Sequence, residues 1–164
     1  MSTLLTDTDI AKLITERKQL PASYTAKLGL REKRGHKERE LDITGDDGSS
    51  FRLILRQSSL NILDFSAILA YIPEGGTQAF RLRRCNGKSH EHTNKLERET
   101  FYNFHIHYAT ERYQSSGLRE DAYAVPTDQY ADFHGALRRL LDDCGFAEPV
   151  DPNLLLFPEA ADGN

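Results

Sequence analysis

The chain has 164 residues, of which 38% are hydrophobic and 28% charged, and its formal net charge is −4 at pH 7. This composition excludes an intrinsically disordered chain, and the length suits one folded domain, which we place at residues 1–150. No apolar run is long enough to span a bilayer and the first residues do not resemble a signal peptide, so we predict a cytoplasmic protein without membrane association.

Charge is unevenly distributed along the chain. Residues 17–98 hold sixteen Lys and Arg against ten Asp and Glu, whereas residues 99–164 hold four against twelve. A basic middle segment is compatible with an anionic ligand on one face of the protein. An ordinary solvated surface with no ligand explains the same asymmetry equally well.

A first helix is predicted at residues 7–19. Thr6 and Asp9 have the spacing of a capping box, in which the two side chains accept hydrogen bonds from free backbone N–H groups. Pro21 ends the run. The apolar residues that recur at helical spacing within it are Ile10, Leu13 and Ile14.

The hydrophobic period changes to two between residues 24 and 109, which predicts β-strands. Turn residues at 45–48 and 73–76 separate neighbouring strands, and such short links join antiparallel strands. The predicted strands are 24–32, 37–44, 51–57, 62–72, 78–85 and 100–109.

A C-terminal helix follows the strands. Thr127 is a suitable N-cap after Pro126, and Gly145 lies where a left-handed C-cap is expected. The residues of its apolar stripe are Tyr130, Phe133, Leu137, Leu140, Leu141 and Cys144. Residues 151–164 form a tail with little pattern, the end of which we expect to be frayed.

These elements predict an α+β fold. We expect a curled antiparallel sheet of about five to six strands, with the N-terminal helix and the C-terminal helix packed on it.

Histidine is concentrated in one short segment, because four of the six histidines lie between residues 90 and 107. His90 and His92 form one His-x-His pair in a polar loop. His105 and His107 form a second pair on the last predicted strand, where alternation places both on the face opposite Ile106. Two imidazoles side by side suit two ligands of one metal, or an acid and a base. Partly exposed histidines on a polar sheet face are the alternative.

Polar residues that suit phosphate binding flank both pairs. Arg84 and Asn86 precede the first pair, and Arg112 and Tyr113 follow the second. A guanidinium can hold a phosphate through two parallel hydrogen bonds. We therefore take Arg84, Asn86, His90, Arg112 and Tyr113 as candidate substrate-binding residues.

Two mechanisms are compatible with this set. In one, no metal or cofactor is needed: one histidine deprotonates a ribose 2′-hydroxyl, another protonates the leaving 5′-oxygen, and Arg84 or Arg112 stabilises the charge. In the other, a transition metal is held by three or four residues. The run His90-x-His92-x4-Glu97 resembles part of the metal signature of cupin barrels, although the glycines and the second motif of that signature are absent. The candidate metal ligands are His90, His92, Glu97, His105 and His107.

The pattern Arg84-x-Asn86, then His90-x-His92-Thr-Asn, then His105-x-His107 resembles poorly characterised bacterial and phage families, and distantly the TumE-type toxins of toxin–antitoxin modules. The resemblance covers about thirty residues and a C-terminal helix, and Cys85 stands where those toxins tend to have an acidic residue. It implies a nucleic-acid-cleaving or translation-blocking role and an antitoxin partner.

Our leading hypothesis is a metal-independent ribonuclease-like protein that acts on RNA phosphodiesters, with His105, His107 and His92 as catalytic residues. A transition-metal-binding protein that uses the same histidines is the first alternative. The second is a non-catalytic phage or mobile-element accessory protein that binds a host protein through its acidic C-terminal half.

Overall fold

The computed structural model describes residues 4–76 and 78–149, so the tail expected at 151–164 lies outside the described residues. The helices and strands, in chain order, are α1 (Asp7–Thr15), β1 (Lys18–Gln19), α2 (Tyr24–Lys27), β2 (Arg31–Lys33), β3 (His36–Thr44), β4 (Ser50–Ser58), β5 (Phe65–Ile72), β6 (Phe80–Asn86), β7 (His92–Asn94), β8 (Glu99–Phe101), β9 (His105–Tyr108), α3 (Glu111–Ser115), β10 (Tyr123–Pro126), α4 (Phe133–Asp143) and β11 (Phe146–Ala147). None of the described helices has the length and apolar character that a membrane span requires.

Seven of the strands form one antiparallel sheet in the order β10-β9-β6-β5-β4-β3-β2. Strands β2 to β6 follow one another as a meander, because each is joined to the next by a connection too short for a parallel crossover. Strand β9 then pairs with β6, and β10 pairs with β9 at the edge of the sheet. The chain between β6 and β9 forms a separate hairpin, β7–β8.

The α+β class and the antiparallel sheet are therefore confirmed, whereas the strand count was wrong. The main sheet has seven strands, and β1–β11 and β7–β8 form two additional two-stranded sheets. Strands of two to four residues are too short to show a period, which is why β1, β10 and β11 were missed. The strand expected at 24–32 was also wrong, because its first residues form the short helix α2.

Both terminal helices begin or end differently from expectation. The capping box of α1 is present, but the helix ends at Thr15, and the next residues pair with β11 instead. At α4 the N-cap is Asp132, whose side chain accepts from the Gly135 N–H at 2.7 Å. Thr127 is not the cap, because its N–H donates to the Phe104 carbonyl and extends the β10 edge. Gly145 has a φ of +77° beyond the helix end, as predicted for a C-cap.

The register of the sheet separates a hydrophobic face from a polar face. Leu55, Ala67, Cys85 and Ile106 occupy one row across four strands, and all four are buried in the hydrophobic core. Helix α4 packs on β5 and β6, and its buried apolar residues belong to the same core. On each of these strands, the residue next to the one in this row points to the other face of the sheet. Those neighbouring residues form a second row, and His105 belongs to it.

A buried lysine joins the C-terminal ends of α1 and α4. The Lys18 side chain is fully buried, and the three N–H groups of its Nζ are shared among the carbonyl oxygens of Leu13, Ile14, Glu16 and Cys144, which lie at 2.7–3.0 Å. These carbonyls lie where helices leave backbone acceptors without partners. Burial lowers the pKa of Lys18 to about 8. One ammonium group thus satisfies backbone acceptors from both ends of the chain.

We expect Lys18→Met to lower the free energy of unfolding by about 2–4 kcal/mol, because the carbonyl oxygens around Nζ lose their charged donor. Urea unfolding followed by circular dichroism measures the change. Lys27→Met, at an exposed lysine of α2, is the control and should stay within about 0.5 kcal/mol of the parent. Equal stability of the two variants would contradict the role assigned to Lys18.

Candidate metal centre

Three imidazole rings converge on the polar face of the sheet. One ring nitrogen from each of His92, His105 and His107 lies within 4.8 Å of the nitrogens of the other two. The ring centroids are separated by 5.3 Å for His92–His105, 4.8 Å for His92–His107 and 4.9 Å for His105–His107. Within the described part of the chain, this is the cluster of three or more potential ligand residues that could hold a metal ion.

The sheet register fixes two members of this triad. His105 lies in a row with Asn86, Ser66 and Arg56, and His107 lies in the next row beside Arg84. The two side chains share a face because they are two residues apart on one strand. Their exposed fractions are only 1% and 3%. The polar face is therefore covered at this point, in contrast to the partly exposed alternative raised by the sequence.

The third residue of the triad, His92, lies on the β7–β8 hairpin. A buried asparagine attaches this hairpin to the main sheet. Asn94 Nδ2 donates to the Ala124 carbonyl at 2.7 Å, and its Oδ1 accepts from the Ala124 N–H at 2.9 Å. The same Oδ1 lies 2.8 Å from Nε2 of His92. The amide thus imitates a strand partner for β10 and at the same time orients His92.

Hydrogen bonds assign the ring protons of all three histidines. Nδ1 of His105 lies 2.8 Å from the Asn103 carbonyl, and Nδ1 of His107 lies 2.7 Å from the Asp121 carbonyl. A carbonyl oxygen only accepts, so both Nδ1 atoms carry the proton. The contacts of Asn94 with Ala124 orient its oxygen toward His92, whose Nε2 is therefore the donor. In the neutral form of each ring, the remaining nitrogens are Nε2 of His105, Nε2 of His107 and Nδ1 of His92, and these are the atoms with a lone pair.

Burial keeps the two strand histidines neutral. It lowers the pKa of His105 to about 4 and that of His107 to about 2, and the cation of Arg84 adds to both decreases. Nε2 of His105 is buried and makes no hydrogen bond with any described residue. A neutral imidazole with a free lone pair suits a metal ligand, whereas a general acid must carry a proton at working pH. This arrangement favours metal binding over the acid/base pair expected from the sequence.

An open cleft of about 370 Å³ lies beside the triad. Three arginines from separate parts of the chain contribute to its walls: Arg56, Arg84 and Arg119. Two of them contact one fully buried carboxylate, because Asp121 lies 3.1 Å from Nε of Arg84 and 3.3 Å from Nη2 of Arg119. The polar residues that complete the lining are Asp64, Ser66, Asn86, Ser89, His90, His92 and His107.

The sequence-predicted substrate-binding residues divide into two groups. Arg84, Asn86 and His90 line the cleft, although His90 is outside the triad and its Nδ1 contacts Ser89. Arg112 and Tyr113 do not line it.

Arg112 and Tyr113 instead form a separate cluster with Glu97, one of the predicted metal ligands. Arg112 pairs with the Glu97 carboxylate, and the Tyr113 hydroxyl donates to the same group. Arg112 also lies over the rings of Tyr113 and Tyr123. These contacts connect the turn of hairpin β7–β8 to α3. Because the Glu97 carboxylate binds Arg112 and Tyr113, it is not part of the histidine triad.

Sequence reasoning missed the residues that hold the triad in place. Asn94 appeared in the His-Thr-Asn run but carried no assigned role, and Asp121 and Arg119 follow α3 without any motif. The contacts that give Asn94 and Asp121 their roles join residues 30 and 14 positions apart, which local spacing does not encode.

Comparisons with known proteins add no family. A scan against protein-family models, a search of curated proteins and a search of solved structures each returned no match to this chain. The resemblance to TumE-type toxins, and the antitoxin partner it implies, therefore stay predictions.

We expect the metal-free protein to lose stability as the pH falls from 7.5 to 5.5. In the unfolded chain both histidines titrate near pH 6.5, whereas in the folded chain their pKa values are lowered to about 4 and about 2. The unfolded state therefore binds more protons below pH 6.5, and stability falls by up to about 1.4 kcal/mol per pH unit for each histidine.

Urea unfolding at the two pH values measures this loss. His107→Gln should show a smaller difference between the two pH values than the parent, because one of the two titrating groups is removed. His90→Gln, at an exposed histidine of the same segment, should retain the parent's difference. A parent protein equally stable at both pH values would contradict burial as the cause of the neutral histidines.

Proposed function

We propose that this protein binds a divalent transition metal ion of the zinc class through His92, His105 and His107. The observation that supports this proposal is the convergence of three imidazoles, each with one ring nitrogen hydrogen-bonded to a protein oxygen. Metal-bound histidines in proteins have this second hydrogen bond almost without exception, because it fixes the tautomer and orients the ring. Imidazole nitrogen suits zinc, copper, iron and nickel.

The ring nitrogens need to approach one another when the metal binds. Zinc–nitrogen bonds of about 2.0–2.1 Å in a tetrahedral site place the ligand nitrogens about 3.3 Å apart. The nitrogens of the triad lie within 4.8 Å of one another. Side-chain rotation can supply the difference, and His92 is the member most able to move because it is half-buried whereas the other two are buried.

A site of three histidines leaves a coordination position for water or substrate. Four protein ligands are typical of structural zinc sites, and three with an open position are typical of catalytic sites. Among the described residues no cysteine or carboxylate joins the triad. Cys85 lies in the core row on the opposite face of the sheet, and burial raises its pKa to about 12. A zinc ion held by His92, His105 and His107 would lower the pKa of water bound at the open position toward 7 and would so supply hydroxide at neutral pH.

The other two functions expected from the sequence stay predictions. Cleavage of RNA without a metal requires a protonated imidazole in the site, which burial of His105 and His107 disfavours. Binding of a host protein by the acidic C-terminal half requires that Asp and Glu changes near 119–143 weaken the association and that histidine changes have no effect. A purified protein with stoichiometric metal would favour neither.

The central prediction is that one zinc ion binds per chain and that each triad histidine is required. Isothermal titration of metal-free protein with zinc, and elemental analysis of protein purified without chelator, measure the stoichiometry. We expect His92→Ala to weaken zinc binding by more than about 100-fold, beyond the usual effect of losing a supporting residue. Cobalt in place of zinc reports the coordination number by its visible absorption.

His90→Ala is the matched control, because His90 lies two residues from His92 but outside the triad. Its zinc affinity should equal that of the parent. His92 is on the hairpin and half-buried, so His92→Ala should fold, and circular dichroism verifies this. The proposal fails if the folded parent binds no zinc at micromolar concentration, or if His90→Ala weakens binding as much as His92→Ala does.

We also expect Asn94→Ala to weaken zinc binding by about 10–100-fold, because the Asn94 amide orients His92. Asn103→Ala is the control: the Asn103 side chain is exposed, and only its backbone carbonyl contacts His105. Zinc titration of the two variants measures the difference. Equal affinities would show that Asn94 does not support the site.

A further inference from the structure

We propose that the cleft beside the histidine triad binds a phosphate ester, with Arg84 and Arg119 holding the phosphoryl oxygens next to the metal. The inference rests on the proposed metal site and extends it to a substrate class. The protein would then be a metal-dependent phosphoesterase. Its support comes from the charge of the cleft, from the way one buried carboxylate organises two arginines, and from the position of both beside His107.

The cleft has an excess of positive charge. Arg56, Arg84 and Arg119 line it, and Asp64 is the acidic residue among its lining residues in the described chain. The arginines come from β4, from β6 and from the segment that follows α3. Three elements distant in sequence thus place guanidinium groups on one concave surface. The positive potential of such a surface raises the local concentration of an anionic substrate.

Asp121 organises two of these cations without neutralising both. It is fully buried beneath Arg84 and Arg119 and contacts both guanidinium groups. One carboxylate between two guanidinium groups leaves one positive charge over. The Nε of Arg84 is buried and, although near Asp121, is not aligned for a hydrogen bond with it. An anion in the cleft would compensate the remaining charge.

The arrangement suits a phosphate ester better than a carboxylate. A single guanidinium fork satisfies both oxygens of a carboxylate. A phosphoryl group presents oxygens in several directions, so a metal ion and two arginines can contact it at once. Asn86 adds a neutral donor, because its Oδ1 accepts from the Ser66 hydroxyl and its amide N–H groups donate to no residue that the structure describes.

The reaction follows from this placement. The oxygen of a metal-bound hydroxide forms a bond to phosphorus, and the bond from phosphorus to the leaving oxygen breaks. The leaving oxygen takes a proton from water. A phosphodiester and one water thereby give a phosphomonoester and an alcohol, with no change of oxidation state. The arginines would stabilise the charge that accumulates on the equatorial oxygens.

Hydrolysis of bis(4-nitrophenyl) phosphate by zinc-loaded protein tests the inference. We expect zinc-dependent release of nitrophenolate, competitive inhibition by inorganic phosphate, and much weaker inhibition by acetate at equal concentration. Arg119→Gln should raise the KM and the inhibition constant of phosphate by about 10–100-fold, the effect of one lost hydrogen bond to a charged group. Zinc affinity should be unchanged in this variant, because Arg119 is exposed and outside the triad.

Arg52→Gln is the matched control. Arg52 lies on β4 like Arg56 but pairs with Asp42 and does not line the cleft, so its KM should equal that of the parent. Zinc binding without hydrolysis and without phosphate binding would overturn the substrate inference and leave the metal proposal standing. Absence of zinc binding would overturn both. Inhibition by acetate as strong as by phosphate, or an unchanged KM in Arg119→Gln, would also overturn the inference.

Discussion

The candidate site depends on the attachment of hairpin β7–β8 to the edge of the main sheet. Edge strands present unpaired backbone groups, and β10 is such a strand. The amide of Asn94 satisfies both the N–H and the carbonyl of Ala124 and is itself almost fully buried. Each hydrogen bond contributes about 0.5–1.5 kcal/mol, but leaving a buried backbone group unpaired costs more. Because detachment would leave these backbone groups unpaired, the two hydrogen bonds hold the hairpin against the sheet edge. They thereby keep His92 next to the two strand histidines.

Much of the sheet follows from sequence alone, because its central strands are long enough to show their period. The strands expected at 37–44 and 51–57 correspond closely to β3 and β4. Alternation also placed His105 and His107 opposite Ile106, and the register has this arrangement. These are local properties, determined by which side of a strand each residue occupies.

The remainder depends on contacts between distant segments. No spacing rule indicates that the Asp121 carbonyl holds His107, or that its carboxylate lies under Arg84 and Arg119. The single strand expected at 100–109 was wrong for the same reason. The chain leaves the hairpin at Phe101, turns, and enters the main sheet only at His105. That turn places the histidines beneath the hairpin, where they become buried.

Burial of the His105 and His107 imidazoles lowers the stability of the folded protein, and this loss is confined to the site. Nε2 of His105 has no partner among the described residues, and a desolvated nitrogen without a hydrogen bond is unfavourable. Functional sites commonly break the rule that buried polar atoms are paired. A metal ion would supply the missing partner, and by binding the folded state it would also stabilise the fold.

Residue 121 connects the two halves of the site. Its backbone carbonyl accepts from Nδ1 of His107, and its side chain contacts Arg84 and Arg119. A displacement of this one residue would therefore move a metal ligand and the arginines of the cleft together. Because Asp121 is fully buried, such a displacement is resisted by the surrounding packing. The position of both arginines relative to the triad thus depends on one buried residue, Asp121.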